Sequence, residues 1–271
     1  MAHLSWLCGR ETDEPLRSSH RGTITETIYV MLFVKSIVTG VFVFALLLSA
    51  SSNRVAGQST LFNIPSTDVV AKKKVYLEFD FLSHLESHDK GGFQAYIPRA
   101  VVGIGKGTEI GVNAAFVDAL APDQPVELQP NLKHQFYQNE GNGVTVAAGG
   151  ILYLPVTNRT GTDTFGMIYT VVSKQVKASH GPRITGGAYG LVGRVSGSGT
   201  SGGAIVGYEQ PLAPGKVSFV ADWFSGKNRF GYVTPGLSFT VSKTSLLYAG
   251  YSVGNQGRKN NALFVYYGIT F

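Results

Sequence analysis

From about residue 73 to the last residue, apolar side chains recur at every second position in segments of about ten residues. The final segment shows this most clearly, because Leu263, Val265, Tyr267, Ile269 and Phe271 alternate with a smaller and more polar set. A period of two is typical of a β-strand with one apolar face. We count twelve such segments, which predict strands at about 73–83, 92–104, 107–117, 126–138, 142–155, 163–177, 182–194, 200–209, 215–225, 229–241, 244–253 and 259–271.

The connectors between these segments have the composition of tight turns. Residues 105–107, 139–143 and 226–228 combine glycine with polar residues, which favours reversal of the chain. The sequence shows no helical periodicity, no second domain and no longer repeat. Counts of ten or fourteen strands stay open as alternatives, because prolines inside the predicted strands mark either bulges or boundaries: Pro98, Pro130 and Pro235.

Upstream of the strands the sequence changes character. Residues 31–35 form a short start with one lysine, residues 37–48 are apolar, and residues 49–57 are small and polar. This is the three-part layout of a secretory signal peptide, with cleavage expected before Gln58. The apolar run is shorter than the roughly 20 residues of a membrane-spanning helix. We interpret residues 1–30 as a mis-assigned translation start, with an uncleaved inner-membrane anchor as the alternative.

The terminal strand and the signal peptide together resemble those of bacterial outer-membrane β-barrel proteins, which end on an aromatic residue preceded by alternating apolar residues. The resemblance covers residues 58–271 and identifies no particular family. It implies an all-β fold: a single antiparallel, up-and-down transmembrane β-barrel of about twelve strands in the bacterial outer membrane. Without these two features, a soluble β-sandwich would be the better interpretation of the strand rhythm.

The same resemblance implies two partners, outer-membrane lipid and the barrel assembly machinery. The residues expected to serve as the assembly signal are those of the final apolar set: Leu263, Val265, Tyr267, Ile269 and Phe271.

Alternation also assigns the two faces of each strand. In the first strand Val75, Leu77 and Phe79 are expected to face lipid, with Glu78 and Asp80 inside. A charge that faces lipid near the bilayer midplane costs about 2–4 kcal/mol, so charged residues are expected on the inner set. The residues predicted to face the lumen are Glu78, Asp80, Arg99, Glu109, Glu127, Lys133, Lys174, Arg183, Glu209 and Asp222.

This mixed lumen set supports two functional hypotheses. If the polar lumen is open, the protein would be a passive channel for small polar solutes. It would prefer cations weakly, because the set has six acids and four bases. An internal salt-bridge network would instead fill a narrow barrel and give a non-conducting structural or anchoring protein. An outer-membrane enzyme is a third, less favoured alternative.

The enzyme alternative was weighed against barrels that carry catalytic residues. Some twelve-stranded outer-membrane barrels are phospholipases, which use a Ser–His pair on the outer wall. Here no serine partner for His134 is evident in the sequence. We therefore expect no enzymatic activity and no cofactor.

One constellation predicts a metal ligand set. His84, Glu86 and His88 lie at the same alternate positions as the inward-facing Glu78 and Asp80, carried on from the first strand into the first connector. If that connector stays extended, two imidazoles and a carboxylate share one face, which is a donor set that binds zinc. A solvated polar loop is the alternative.

The composition is consistent with a barrel and reduces the range of expected binding partners. Of the 34 glycines, all but four follow residue 57, where they lie within the alternating segments and relieve crowding in a bent sheet. The chain carries a net charge of +6, but its basic residues form no cluster in the sequence, so nucleic-acid binding is not expected. The only cysteine, Cys8, precedes the expected cleavage site, so no disulfide is expected.

Overall fold

The computed structural model describes residues 59–119, 126–157, 163–178, 180–193, 199–257 and 260–271. The extension and signal peptide predicted for residues 1–57 lie outside the described residues. The strands are β1 (Val75–His84), β2 (Phe93–Gly105), β3 (Thr108–Ala119), β4 (Glu127–Asn139), β5 (Val144–Pro155), β6 (Phe165–Gln175), β7 (Arg183–Gly193), β8 (Gly202–Ala213), β9 (Val217–Phe224), β10 (Tyr232–Thr240), β11 (Ser245–Gly254) and β12 (Ala262–Thr270). Short 3-10 turns lie at His88–Lys90 and Asn255–Gly257.

The twelve strands form one closed antiparallel barrel in which each strand pairs with its neighbours in the chain. The last strand closes the sheet by pairing with the first, from Tyr76 opposite Thr270 to Ser83 opposite Leu263. The prediction of an all-β, up-and-down barrel of twelve strands is confirmed. Among the described residues, no helix is long and apolar enough to cross a membrane.

The three prolines lie inside continuous strands, so they mark no boundary. Each keeps a partner on one side: Pro98 opposite Phe79, Pro130 opposite Val112 and Pro235 opposite Ala221. On the other side the pairing is interrupted, as expected for a residue without an N–H group. The counts of ten and fourteen strands are therefore excluded.

The outer face of the barrel is an apolar band. Along β6 the inward residues are buried, whereas Ile168 and Val172 are exposed on the outside. Large apolar residues are exposed in the same way on several other strands, including Ile110, Val112, Leu132, Ile184, Val206 and Val265. Outer-membrane barrels have such an apolar band where they contact the hydrocarbon core of the bilayer, and their inward-facing residues occupy the alternate positions.

The two ends of the barrel differ in the length of their connections. At the end where β1 begins and β12 finishes, two residues join β2 to β3 and three join β8 to β9. We call this the turn end. At the opposite, or loop, end, eight residues join β1 to β2 and seven join β9 to β10. In outer-membrane barrels the short turns are periplasmic and the longer loops extracellular.

The interior of the barrel contains a segment of the chain that precedes β1. We call residues 59–70 the plug segment. It folds as a small hairpin, with an isolated bridge between Thr60 and Pro65 and the Leu61 N–H donating to the Ile64 carbonyl at 2.9 Å. The side chains of Leu61, Phe62 and Ile64 are buried and belong to the same core cluster as the inward aromatic residues. The pattern of alternating residues predicted no element in this segment.

The wall makes room for the plug at specific positions. A Cβ atom at Gly207 of β8 would lie 2.7 Å from both the Ile64 Cδ1 and the Leu61 Cδ2 atoms. Phe62 lies against Phe264, with ring centroids 4.7 Å apart. The absence of a side chain at Gly207 therefore provides part of the space that the plug occupies.

Adding a methyl group at Gly207 is expected to disturb this packing. Gly207→Ala should lower the free energy of unfolding by about 1–3 kcal/mol, because the methyl overlaps Leu61 and Ile64. Urea titration followed by tryptophan fluorescence measures the change. Gly186→Ala is the matched control, because nothing lies within 4 Å of a Cβ atom there. Its effect should stay within about 0.5 kcal/mol, and Ile64→Val should rescue part of the Gly207→Ala loss. Equal effects of the two alanines would contradict the packing.

Candidate functional site

The structure brings most of the predicted lumen residues together on the inner face. Five of them are buried there: Glu78, Asp80, Glu109, Lys133 and Asp222. Four more are partly buried and pair with one another or with interior groups: Arg99, Glu127, Arg183 and Glu209. These side chains form the candidate site, and what they contact defines its chemistry.

Lys174 is the exception and corrects the prediction made for it. Along β6 the buried residues have odd numbers from Phe165 to Ser173, so Lys174 falls on the outer face with Val172. Its ammonium group, near the turn end of β6, donates to the carbonyl of Asn142. The length of its side chain lets the charge reach the membrane interface while its stem stays against the wall.

The tip of the plug is held by one carboxylate. Oδ2 of Asp222, on β9, accepts the backbone N–H groups of Phe62, Asn63 and Ile64 at 3.0, 2.6 and 3.1 Å. Beside it, the Asn63 side-chain amide donates to Thr234 Oγ1 at 2.7 Å. Three converging N–H donors compensate a buried carboxylate much as an anion-binding backbone nest does.

The base of the plug is held by a second carboxylate. Glu109, the second residue of β3 at the turn end, accepts the Ser59 hydroxyl at 2.5 Å and the Val70 N–H at 2.7 Å. Lys133 lies 3.0 Å from the same carboxylate and donates to the Ser59 carbonyl at 2.7 Å. A buried ion pair is stable only when further hydrogen bonds satisfy it, and here both ends of the plug supply them.

The returning arm of the plug is held by an arginine. Arg183 of β7 makes a two-point contact with Asp68, at 2.5 and 2.8 Å, and donates to the Thr67 hydroxyl at 2.5 Å. The Gln135 amide donates to the Thr67 carbonyl at 2.9 Å. A two-point contact between a guanidinium and a carboxylate fixes the relative orientation of the two groups and also strengthens their interaction.

A second polar cluster lies on the wall at β1 and β2, where Tyr76 packs against Val70 of the plug. Arg99 Nη2 is 2.5 Å from an Asp80 oxygen, and its Nε is 3.5 Å from Glu78. The Tyr76 hydroxyl donates to the other oxygen of Glu78 at 2.5 Å. One arginine thus serves two buried acids, and Asp80 Oδ1 is buried without a hydrogen-bond partner among the described residues.

The loop end of the barrel is covered by Arg229. Its guanidinium donates to both oxygens of Glu127, at 2.9 and 2.7 Å, and lies over the rings of Tyr153, Phe165 and Phe230 at 4.9–5.4 Å. The Arg229 side chain is 45% exposed, and the Glu127 carboxylate raises its pKa above the ordinary value. The arginine therefore stays charged and holds the β9–β10 connection inward.

The predicted acid excess does not become a field of free carboxylates. Glu78, Asp80, Glu109, Glu127 and Glu209 each lie within 4 Å of an arginine or lysine nitrogen, and Asp222 is compensated by backbone N–H groups. Every predicted lumen acid thus has a basic or N–H partner, but Arg99 and Arg183 are each shared between two acids, so acids still outnumber bases among the described lumen residues.

The three predicted metal ligands are not brought together. His84 ends β1, and its Nδ1 contacts the carbonyl of Asn261. His88 begins a 3-10 turn, so the connector does not stay extended as the prediction required. Among the described residues, no group of three or more histidine, cysteine or acidic side chains could hold a metal ion.

A hydroxyl–imidazole pair on the outer wall was missed from the sequence. The Thr108 Oγ1 and His134 Nδ1 atoms are 2.7 Å apart, and the imidazole packs edge-on against Phe136. Thr108 and His134 are 26 residues apart in the sequence, and only the register of β3 against β4 places them opposite each other. The described residues show no further polar side chain that orients this imidazole.

Comparison with known proteins shows similarity at the level of structure. No protein-family model matches the chain, and no curated protein matches it. Among solved structures, the chain is similar to outer membrane phospholipase A from Escherichia coli, with 13% identity, a TM-score of 0.45, and coverage of 80% of this chain and 98% of that one. The assignment to outer-membrane-type β-barrels rests on the closed sheet and its apolar band.

The expectation that the chain is not an enzyme is corrected by this comparison. The similar barrel is, by its name, a phospholipase. The expectation rested on finding no serine partner for His134, and the hydroxyl that lies against this imidazole belongs to a threonine, Thr108. The activity in this name is a property of that protein.

Removing the acceptor at the plug tip tests the site directly. Asp222→Ala leaves three buried N–H groups without a partner, and a hydrogen bond to a charged group contributes about 1.5–3 kcal/mol. Amide exchange at residues 62–64, measured by mass spectrometry, should accelerate by about two orders of magnitude. Asp222→Asn should be intermediate, and the exposed Asp89→Ala should change nothing. Unchanged exchange in Asp222→Ala would refute the assignment.

Proposed function

We propose that this chain is a bacterial outer-membrane barrel whose lumen is closed by its own plug segment, so that its resting state passes no small polar solutes. Three properties support the membrane location: the apolar outer band, the closed sheet and the short turns at one end. Outer-membrane lipid and the barrel assembly machinery are its proposed partners. Four of the charged lumen residues act in this proposal as plug-binding groups: Glu109, Lys133, Arg183 and Asp222.

The observation that carries the proposal is the attachment of the plug to opposite sides of the lumen. Glu109 of β3 holds its base and Asp222 of β9 holds its tip, and these two strands are six places apart in the ring of twelve. The hairpin therefore crosses the lumen from one wall to the other. Around its tip Leu61, Phe62 and Ile64 continue the aromatic core of the wall.

An always-open passive channel has no support in this geometry. Solutes would have to cross a lumen in which the charged groups are paired and the apolar groups are packed against the plug. Our earlier alternative, a non-conducting structural or anchoring barrel, agrees better with the observed contacts. Closure by a plug is a more specific form of that alternative.

One observation favours a second candidate, a channel that conducts after the plug moves. The plug is joined to the wall mainly by side chains, and outside the named strands the described residues show only two isolated bridges, Thr60–Pro65 and Lys72–Gly103. Displacing it would break ion pairs and hydrogen bonds but leave the twelve-strand pairing intact. The resulting lumen would carry the acids and bases that now hold the plug.

Conductance in planar bilayers tests both candidates. The wild-type barrel should be electrically silent, whereas a chain lacking residues 59–70 should give discrete current steps, because the lumen is then unobstructed. Insertion is checked on gels, where a folded barrel resists detergent and migrates faster unboiled than boiled.

Asp222→Ala and Asp89→Ala supply the matched pair for this experiment. The first should conduct intermittently, because the tip is loosened, and the second should remain silent. Steps of equal frequency in wild type and in the deletion chain would contradict closure by the plug. Silence of a fully inserted deletion chain would show that the wall itself closes the lumen, which excludes both candidates.

A further inference from the structure

We propose that the turn end of the barrel carries a basic collar that binds the phosphate headgroups of anionic phospholipids in the adjoining leaflet. The collar is a set of six lysines that lie outside the strands and are exposed: Lys72, Lys73, Lys106, Lys177, Lys216 and Lys243. None of these residues takes part in holding the plug, so the inference does not depend on closure of the lumen; it rests on the proposed membrane location.

The collar surrounds the barrel because nearly every connection at the turn end contributes to it. Lys72 and Lys73 precede β1, and the turns after β2, β6, β8 and β10 each supply one lysine. The turn after β4 has none, but Lys174 and Lys177 reach over it and donate to the carbonyls of Asn142 and Gly141. Positive charge is therefore available around the whole circumference.

Charge is distributed unequally between the two ends. In the connections of the turn end, Glu140 is the only acidic residue. The connections of the loop end contain seven basic and four acidic residues in the sequence: Lys90, Arg159, Arg194, Lys227, Arg229, Arg258 and Lys259 against Glu86, Asp89, Asp123 and Asp163. In the described part of the chain, no collar lysine forms an ion pair.

The collar lies directly at the border of the apolar band. Leu212 and Val241 are 58% and 57% exposed on the outside, and they are four and two residues away from Lys216 and Lys243. Ile104, 51% exposed, is two residues from Lys106. Lysine side chains at such a border extend along apolar surface and place the ammonium group among the headgroups.

Two collar positions show an unusual backbone. Lys73 has a φ of 64° and Lys106 a φ of 51°, in the left-handed region that glycine and asparagine occupy at lower cost. Lys106 stands between two glycines that also have positive φ. A long basic side chain at positions where the backbone favours glycine indicates that the charge itself has a use.

Anionic phospholipid is the partner that fits these observations together. A ring of mobile ammonium groups at headgroup depth recognises a surface of phosphates. A lysine near an anionic membrane surface increases affinity about fivefold, and several act together. The free phosphate ion offers the same chemistry but has no reason to gather at the border of an apolar band.

Lipid selectivity of the reconstituted barrel tests the collar. The full chain is placed in phosphatidylcholine vesicles with spin-labelled phosphatidylglycerol or spin-labelled phosphatidylcholine, and the fraction of each label immobilised at the protein is measured. Wild type should select phosphatidylglycerol, and added sodium chloride should weaken this selection. Replacing all six collar lysines by glutamine should abolish the selection.

Two matched double variants distinguish the effect of the collar on lipid selectivity from the effect of the protein's total charge. Lys106→Gln/Lys216→Gln should reduce selectivity several-fold, whereas Lys90→Gln/Lys227→Gln, with the same change of charge at the loop end, should not. Heat-dependent gel mobility verifies that each variant is folded. Equal losses in the two pairs, or undiminished selectivity without the collar, would overturn the proposal. So would loss of selection in millimolar inorganic phosphate but not in chloride of equal ionic strength, because the site would then bind free phosphate.

Discussion

Closure of the sheet between β1 and β12 is the constraint on which the other features depend. In hydrocarbon an unpaired strand edge would leave a row of N–H and C=O groups without partners, so the last strand must meet the first. The register from Tyr76–Thr270 to Ser83–Leu263 provides this pairing. Once the sheet is closed, strand alternation sends Glu78 and Asp80 inward and leaves their neutral neighbours facing outward. The barrel thus acquires an enclosed interior whose charges need partners.

The plug and the charged lumen residues provide each other with hydrogen-bond and ion-pair partners. Removing one partner of a buried ion pair such as Glu109–Lys133 would cost about 3–5 kcal/mol, because the remaining charge is uncompensated. The plug adds hydrogen bonds to both members of that pair and supplies the donors that Asp222 needs. Its apolar tip meanwhile completes a core that the wall residues leave unfilled. Closure, charge pairing and occlusion of the lumen are therefore connected consequences of one topology.

The sequence predicted the barrel because barrels are built from local, repeated patterns. Alternation over ten residues, turn composition and the apolar set of β12 are each visible in a short window. The plug left no such signal, because its contacts join Phe62 to Asp222, 160 residues apart, and its hairpin lacks a strand period. The same reasoning explains the collar. Its lysines occur mostly one to a connection and form no cluster in the sequence, whereas the barrel gathers them at one end. Lys174 was misplaced because a parity error of one residue reverses the face.

The most direct measurement of plug closure is a disulfide across the lumen. Asn63 and Thr234 are in hydrogen-bond contact, so cysteines at both positions, in a Cys8→Ser background, should crosslink under mild oxidation in the folded barrel and become unreactive to maleimide. Asn63→Cys paired with Thr240→Cys is the control, because Thr240 lies on the same strand six residues away, about 20 Å along it. Free thiols in the Asn63–Thr234 pair, or equal crosslinking in both pairs, would contradict a plug inside the barrel.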